Sequence, residues 1–339
     1  MNAWAELIVS YALNACWQVP VVVLAAGAAV RALSGAPARL CHAIWLLAAA
    51  LSALLPAGGV WGLFASASQA VQVPETASLS LFEERLVLVL FAVPALWRGG
   101  RMLAAAVAAW RWRKKAGPFP AAVIGPLLRS RDVAFLVSPP ELEAAGPLLV
   151  GLLRPAILLP RFLAASENRL LLEAAIAHEL AHLRRKDMLV YVVFEIALAP
   201  LAFHPVTLWL RRKLTESREL ACDEQVARES LSPVVYARRL LEVARNVVGR
   251  TAAIQALGVG EGGILERRIR ALLEMPRRAT RSPNPWQRVT CILAAGMVCV
   301  FLARAAGNLY LWIAEPHGPL PALVPPPPPP PPPPSSRAL

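Results

Sequence analysis

The sequence predicts a mainly α, polytopic membrane protein with four transmembrane helices and an α+β domain on the cytoplasmic side. Three observations predict it: long runs without charge, basic residues gathered at alternate ends of those runs, and a different texture mid-chain. Of 339 residues, 57% are hydrophobic and only 17% charged, against about 25% charged in ordinary soluble domains. The net charge of +13 invites a nucleic-acid reading. Its sources are short blocks at 111–115, 184–186, 211–213, 267–268 and 277–278. Two blocks flank apolar runs, as cytoplasmic loops do. No basic helix carries base-reading neighbours, so no direct nucleic-acid partner is expected.

The first apolar run spans residues 7–30, long enough to cross a hydrocarbon layer of about 30 Å as a helix. Its length, and Glu6 where a signal peptide carries basic residues, argue against a cleaved leader. A second run covers 40–64, and a third covers 85–110, interrupted by Arg98-Gly-Gly-Arg101, where a break or interfacial step is expected. A fourth covers 289–314. Arg31, Arg39, Arg111 to Lys115, Arg277, Arg278, Arg281 and Arg288 fall on one side, and Glu75, Glu83 and Glu84 on the other. The positive-inside rule then sets both termini outside the cytoplasm. Residues 1–110 would hold three crossings, 111–288 the cytoplasmic domain, 289–314 the fourth crossing and 315–339 an extracytoplasmic tail. Ten consecutive prolines, Pro325 to Pro334, make that tail a polyproline II rod of about 31 Å. It is a stiff spacer or a ligand for a proline-binding partner.

Within 111–288, residues 133–137 and 156–159 are short, apolar and bounded by Pro and Gly, and read as strands. Ser166 is the expected N-cap of a helix over 167–185. Residues 188–210 are apolar and of spanning length, but Glu195, Pro200, His204 and Pro205 interrupt them. A broken or re-entrant hairpin is expected, with His204 as a turn residue. The five cysteines are scattered, with no pair at zinc-knuckle spacing, and are read as reduced, small apolar residues.

The chemistry concentrates in Ala177-His178-Glu179-Leu-Ala-His182-Leu-Arg-Arg-Lys-Asp187. On a helix His178 and His182 share one face and can meet one ion. Glu179 is placed to accept a proton from water that a zinc ion activates. Alone, the motif could be two surface histidines on an amphipathic helix. A catalytic zinc needs a third protein ligand, and Ser217-Arg218-Glu219-Leu-Ala-Cys-Asp223 offers Glu219 about 37 residues downstream. Asp223, four residues on, can orient a ligand histidine. Arg218 can bind a substrate carbonyl or position Glu219. The bland alternative is a solvated acidic face of Glu216, Glu219, Asp223 and Glu224.

These residues resemble the BlaR/MecR-type antirepressor metallopeptidases, integral-membrane relatives of the gluzincins, over residues 133–271. The resemblance is carried by Pro147-Leu-Leu-Val-Gly151-Leu-Leu-Arg-Pro155-Ala-Ile-Leu-Leu-Pro160, the His178 segment, Phe203-His-Pro205 and Arg218-Glu-Leu-Ala-Cys-Asp223. Weaker echoes lie at Tyr236-Ala237, Leu240-Leu241 and Glu266-Arg-Arg-Ile269. It implies a gluzincin-like zinc protease domain, with His178, His182 and Glu219 on Zn2+ and Glu179 as base. It implies an edge strand over 152–159 that holds an extended peptide. It also implies a bacterial inner-membrane protease that cuts a cytoplasmic repressor, with self-cleavage near Arg277-Arg278. The expected partners are a protein substrate and the lipid bilayer, with a homodimer left open. Family members that sense β-lactams carry a penicillin-binding domain after the last crossing. Here about 25 residues follow, without Ser-x-x-Lys, so β-lactam sensing by this chain alone is not expected. Two other readings stand beside this one, a housekeeping membrane-protein protease and a catalytically silent receptor or scaffold.

Overall fold

The computed structural model describes residues 3–33, 35–66, 81–120, 133–142, 146–165, 168–248 and 261–278. The expected fourth crossing, the proline tail and the Ser166 cap lie outside the described residues. The protein is α-rich and membrane-associated. Three described helices are long and apolar enough to cross a membrane, over Tyr11–Ala32, Ala38–Ala57 and Leu88–Lys115. They belong to α1 (Ala3–Ala32), α2 (Ala38–Ser66) and α3 (Leu81–Lys115).

The break expected at Arg98-Gly-Gly-Arg101 is absent, and α3 runs through it. Glycine weakens a helix by about 1 kcal/mol but does not remove a backbone donor as proline does. Arg98 finds its counter-charge without a break, since its Nη2 lies 2.9 Å from Glu195 Oε2.

Four short strands follow: β1 (Gly117–Pro118), β2 (Ala134–Val137), β3 (Leu148–Val150) and β4 (Ala156–Leu159). Their order is β1-β2-β4-β3, with β2 and β4 parallel and the outer pairs antiparallel. The expectation of an edge strand over 152–159 is therefore corrected. All four residues of β4 are buried, and the outer strand on that side is β3. A run of four apolar residues without alternation suits a strand covered on both faces and flanked on both edges. Gly151 turns the chain between β3 and β4 at φ +88°, where a Cβ would sit 2.5 Å from Arg154 O.

After the short α4 (Arg161–Ala164), helix α5 spans Arg169–Arg184 with Asn168 as N-cap, two residues later than expected. Leu171, Leu172, Ala175 and Ile176 of α5 pack against Ile157 and Leu159 of β4 and Leu149 of β3. The apolar run 188–210 is divided, as its prolines imply. Helix α6 covers Asp187–Ala197, a turn follows, and α7 covers Pro205–Glu229 with Pro205 in its first turn and His204 as its N-cap. His204 Nδ1 accepts from Val206 N at 3.2 Å, satisfying one of the free donors of that helix start. Helices α8 (Pro233–Val248) and α9 (Glu261–Arg278) complete the described chain.

Helices α1, α2 and α7 share one core. Val19, Val22 and Val23 of α1 and Trp45 and Ala49 of α2 bury against Leu198, Leu201 and Leu210. Trp45 and Trp209 meet edge to face at 5.4 Å. At the start of α2, Ala38 N donates to Glu224 Oε2 at 2.5 Å, and His42 Nδ1 lies 2.9 Å from Ser217 Oγ. The first turn of α2 is thus fixed to the stretch of α7 that carries Glu219.

Candidate metal centre

Helix α5 presents His178 and His182 one turn apart. Their Nε2 atoms face each other at 3.2 Å, with ring planes at 84°. Helix α7 brings Glu219 against them, Oε2 at 3.3 Å from His178 Nε2 and Oε1 at 3.7 Å from His182 Nε2. One donor atom from each residue falls within 4.8 Å of the others. Zn–N and Zn–O bonds of about 2.0–2.1 Å at tetrahedral angles set neighbouring donors about 3.3 Å apart. The chemistry and the spacing of these three side chains therefore fit a zinc ion.

The outward nitrogens of both rings are engaged. His182 Nδ1 lies 2.8 Å from Asp187 Oδ2. That contact depends on Lys186, whose φ of 56° ends α5 and turns Asp187 back as the first residue of α6. Such a backbone costs a non-glycine residue on the order of 1 kcal/mol. His178 Nδ1 lies 2.9 Å from Tyr236 Oη and 3.3 Å from Asp223 Oδ1. Carboxylates behind ligand histidines fix ring orientation and raise basicity. Burial and the Arg268 charge push the His178 pKa down, yet its bonds to Asp223 and Glu219 prevail and raise it to about 9. Burial opposes ionisation of Glu219, but His178 and Arg268 hold its carboxyl well below the usual range.

Cys222 Sγ donates to Asp187 Oδ2 at 3.2 Å and lies 3.2 Å from His182 Nδ1. Together they form a second metal-like trio. Burial and the Asp187 charge push the Cys222 thiol up, and a metal takes the thiolate. His182 Nδ1 is moreover already committed to Asp187. The trio suits support for His182 better than a second ion.

The structure brings together all the residues singled out from sequence. Glu179 is buried and lines one cleft with His178, His182, Glu219 and Arg218. The cleft encloses about 560 Å³, and Leu148 and Leu149 of β3 form one wall. Arg218 Nη2 lies 3.3 Å from Glu219 Oε1. Asp223 is buried beneath His178 and accepts from Tyr236 Oη at 2.8 Å.

Sequence reasoning assigned no role to Asp187, Cys222, Tyr236 or Arg268. For the cysteine this is a correction, because Cys222 is a polar partner within the site and not merely a small apolar residue. Arg268 carried a readable signal: Leu265, Ile269 and Leu272 make the apolar stripe of α9, and Arg268 interrupts it.

A helix pair that gathers two histidines and a glutamate, beside helices long and apolar enough to cross a membrane, fits a membrane-associated metallopeptidase. The chain belongs to the BlaR1 peptidase M56 family, whose family model matches residues 3–272. That match takes in α1, α2 and α3 as well as the cleft. No curated protein matches the chain significantly.

Proposed function

We propose that the protein is a membrane-bound zinc endopeptidase of gluzincin-like build, in which His178, His182 and Glu219 hold Zn2+ and Glu179 is the general base. The observation that carries this reading is the convergence of those three donors, each histidine backed by a carboxylate. When bound, the metal supplies Lewis acidity toward water and the scissile carbonyl. The protein's own groups do the rest. Glu179, beside His178 on α5 and in the same cleft, takes a proton from the attacking water on its carboxylate. It then passes that proton to the leaving nitrogen. Asp187 and Asp223 keep the two imidazoles oriented, and Arg218 holds Glu219. The outer strand β3 gives an extended peptide a backbone ladder along the cleft.

We further infer that this protease faces the cytoplasm of a bacterial inner membrane, with four crossings and both termini outside. Its substrate is a cytoplasmic transcriptional repressor, so that cleavage relieves repression. The family assignment and the distribution of basic residues support that reading. Co-expression with repressors of neighbouring genes tests it. Wild type is expected to cleave one of them, and Glu179→Ala to slow cleavage by at least ~10². Cleavage that survives Glu179→Ala would overturn the catalytic assignment.

A further inference from the structure

Helix α9 lays one cation into the centre of this site. Arg268 is largely buried, and its Nε and Nη2 donate to Asp223 Oδ2 and Oδ1 at 2.7 and 2.8 Å. A two-point clamp of this kind fixes the plane of a guanidinium. The clamp uses one edge of the group and leaves Nη1 on the other. Nη1 stands 3.4 Å from Glu219 Oε2, beyond the 2.7–2.9 Å of a charge-assisted hydrogen bond. Nη2 also lies 3.3 Å from His178 Nε2, so the guanidinium borders the metal donors directly. The side chain lines the cleft that holds Glu179 and faces β3.

Resting on the zinc-peptidase reading, we propose that Arg268 is a catalytic residue whose Nη1–H donates to the carbonyl oxygen of the scissile peptide. Charge grows on that oxygen as water adds to the carbonyl carbon. A fixed donor in a largely buried site stabilises such charge without reorganising. Arg268 keeps its proton throughout: it forms one hydrogen bond and breaks no covalent bond. Asp223 then has two tasks, orienting His178 and aiming Arg268.

The helix has a second tether that makes a control. Arg267 Nη1 lies 2.5 Å from Glu216 Oε2, and the arginine is outside the cleft. Full-length protein in lipid nanodiscs is compared as wild type, Arg267→Ala, Arg268→Ala and Arg268→Lys. Zinc content is measured, then binding of phosphoramidon (whose tetrahedral phosphoryl oxygens imitate the developing oxyanion) by calorimetry. Turnover of β-casein gives kcat and KM. With zinc retained, Arg268→Ala is expected to weaken phosphoramidon by ~30-fold and lower kcat by ~10², with KM within ~3-fold. Arg268→Lys should recover part of both, and Arg267→Ala should match wild type.

Wild-type affinity and kcat in zinc-loaded Arg268→Ala would overturn the proposal. So would an equal loss in Arg267→Ala, which would mean that docking of α9 is what matters. Loss of zinc from both Arg268→Ala and Arg268→Lys would make the residue a strut of the metal site and overturn it too. Wild type that holds no zinc would overturn the protease reading itself, a result distinct from the other three.

Discussion

Asp187 reaches His182 only because Lys186 accepts a left-handed backbone between two helices. A carboxylate in that position is expected to strengthen metal binding by about 10–100-fold. Asp187→Asn should therefore release zinc to a competing chelator at correspondingly lower chelator concentration, while far-UV circular dichroism stays unchanged. Unaltered zinc affinity would deny Asp187 its role. Cys222 is buried, with its thiol directed at Asp187. Its thiol is raised, so the thiolate fraction at pH 8 lies below that of a free cysteine. Folded protein should leave Cys222 unalkylated by iodoacetamide at pH 8, and detergent-unfolded protein should not. His178, His182 and Glu219 were legible in the sequence because helical spacing alone puts the first two on one face, and catalytic zinc demands a third ligand. Asp187 and Tyr236 were not, and for Arg268 the break in an apolar stripe showed an unusual residue but not its partners. Their contacts depend on a left-handed residue and on how α8 and α9 dock, which no local spacing reports.

Among the elements, β4 was recognisable as a strand but was expected at the edge of the sheet, where it does not lie. Four consecutive apolar residues indicate a central strand, and the edge falls to β3, which the sequence shows only as Leu148 to Val150 between Pro147 and Gly151. The continuity of α3 was equally hidden. Two adjacent glycines suggest a break, yet the counter-charge that makes one unnecessary comes from α6, some hundred residues away. Glu195 of α6 is buried and pairs with Arg98 of α3 and with Arg211 of α7, and a buried charge left unpaired is costly. Removing the shared carboxylate strands two arginines, and breaking such a buried pair costs about 3–5 kcal/mol. Glu195→Gln should lower the thermal midpoint in nanodiscs by several degrees. An unchanged midpoint would mean that water already solvates these groups.

In the molecule as a whole, the pair of helices α1 and α2 and the cleft share contacts through α7. The core of α1 and α2 continues into the turn before α7, and the first turn of α2 is tied to Ser217 and Glu224 on either side of Glu219. A helix that offers a metal donor is thus held in place by a hairpin whose length and apolarity suit a bilayer. That arrangement gives a physical reason for the family match to begin at residue 3 rather than at the cleft. A zinc ion held by α5 and α7 is open to direct measurement. Elemental analysis of purified full-length protein should find one zinc per chain in wild type and in Glu179→Gln, which keeps every donor. It should find less than about a tenth of that in His178→Ala and Glu219→Ala, since structural and catalytic zinc sites alike depend on their full ligand set. Full zinc occupancy in Glu219→Ala, or none in wild type, would contradict a zinc site built from His178, His182 and Glu219.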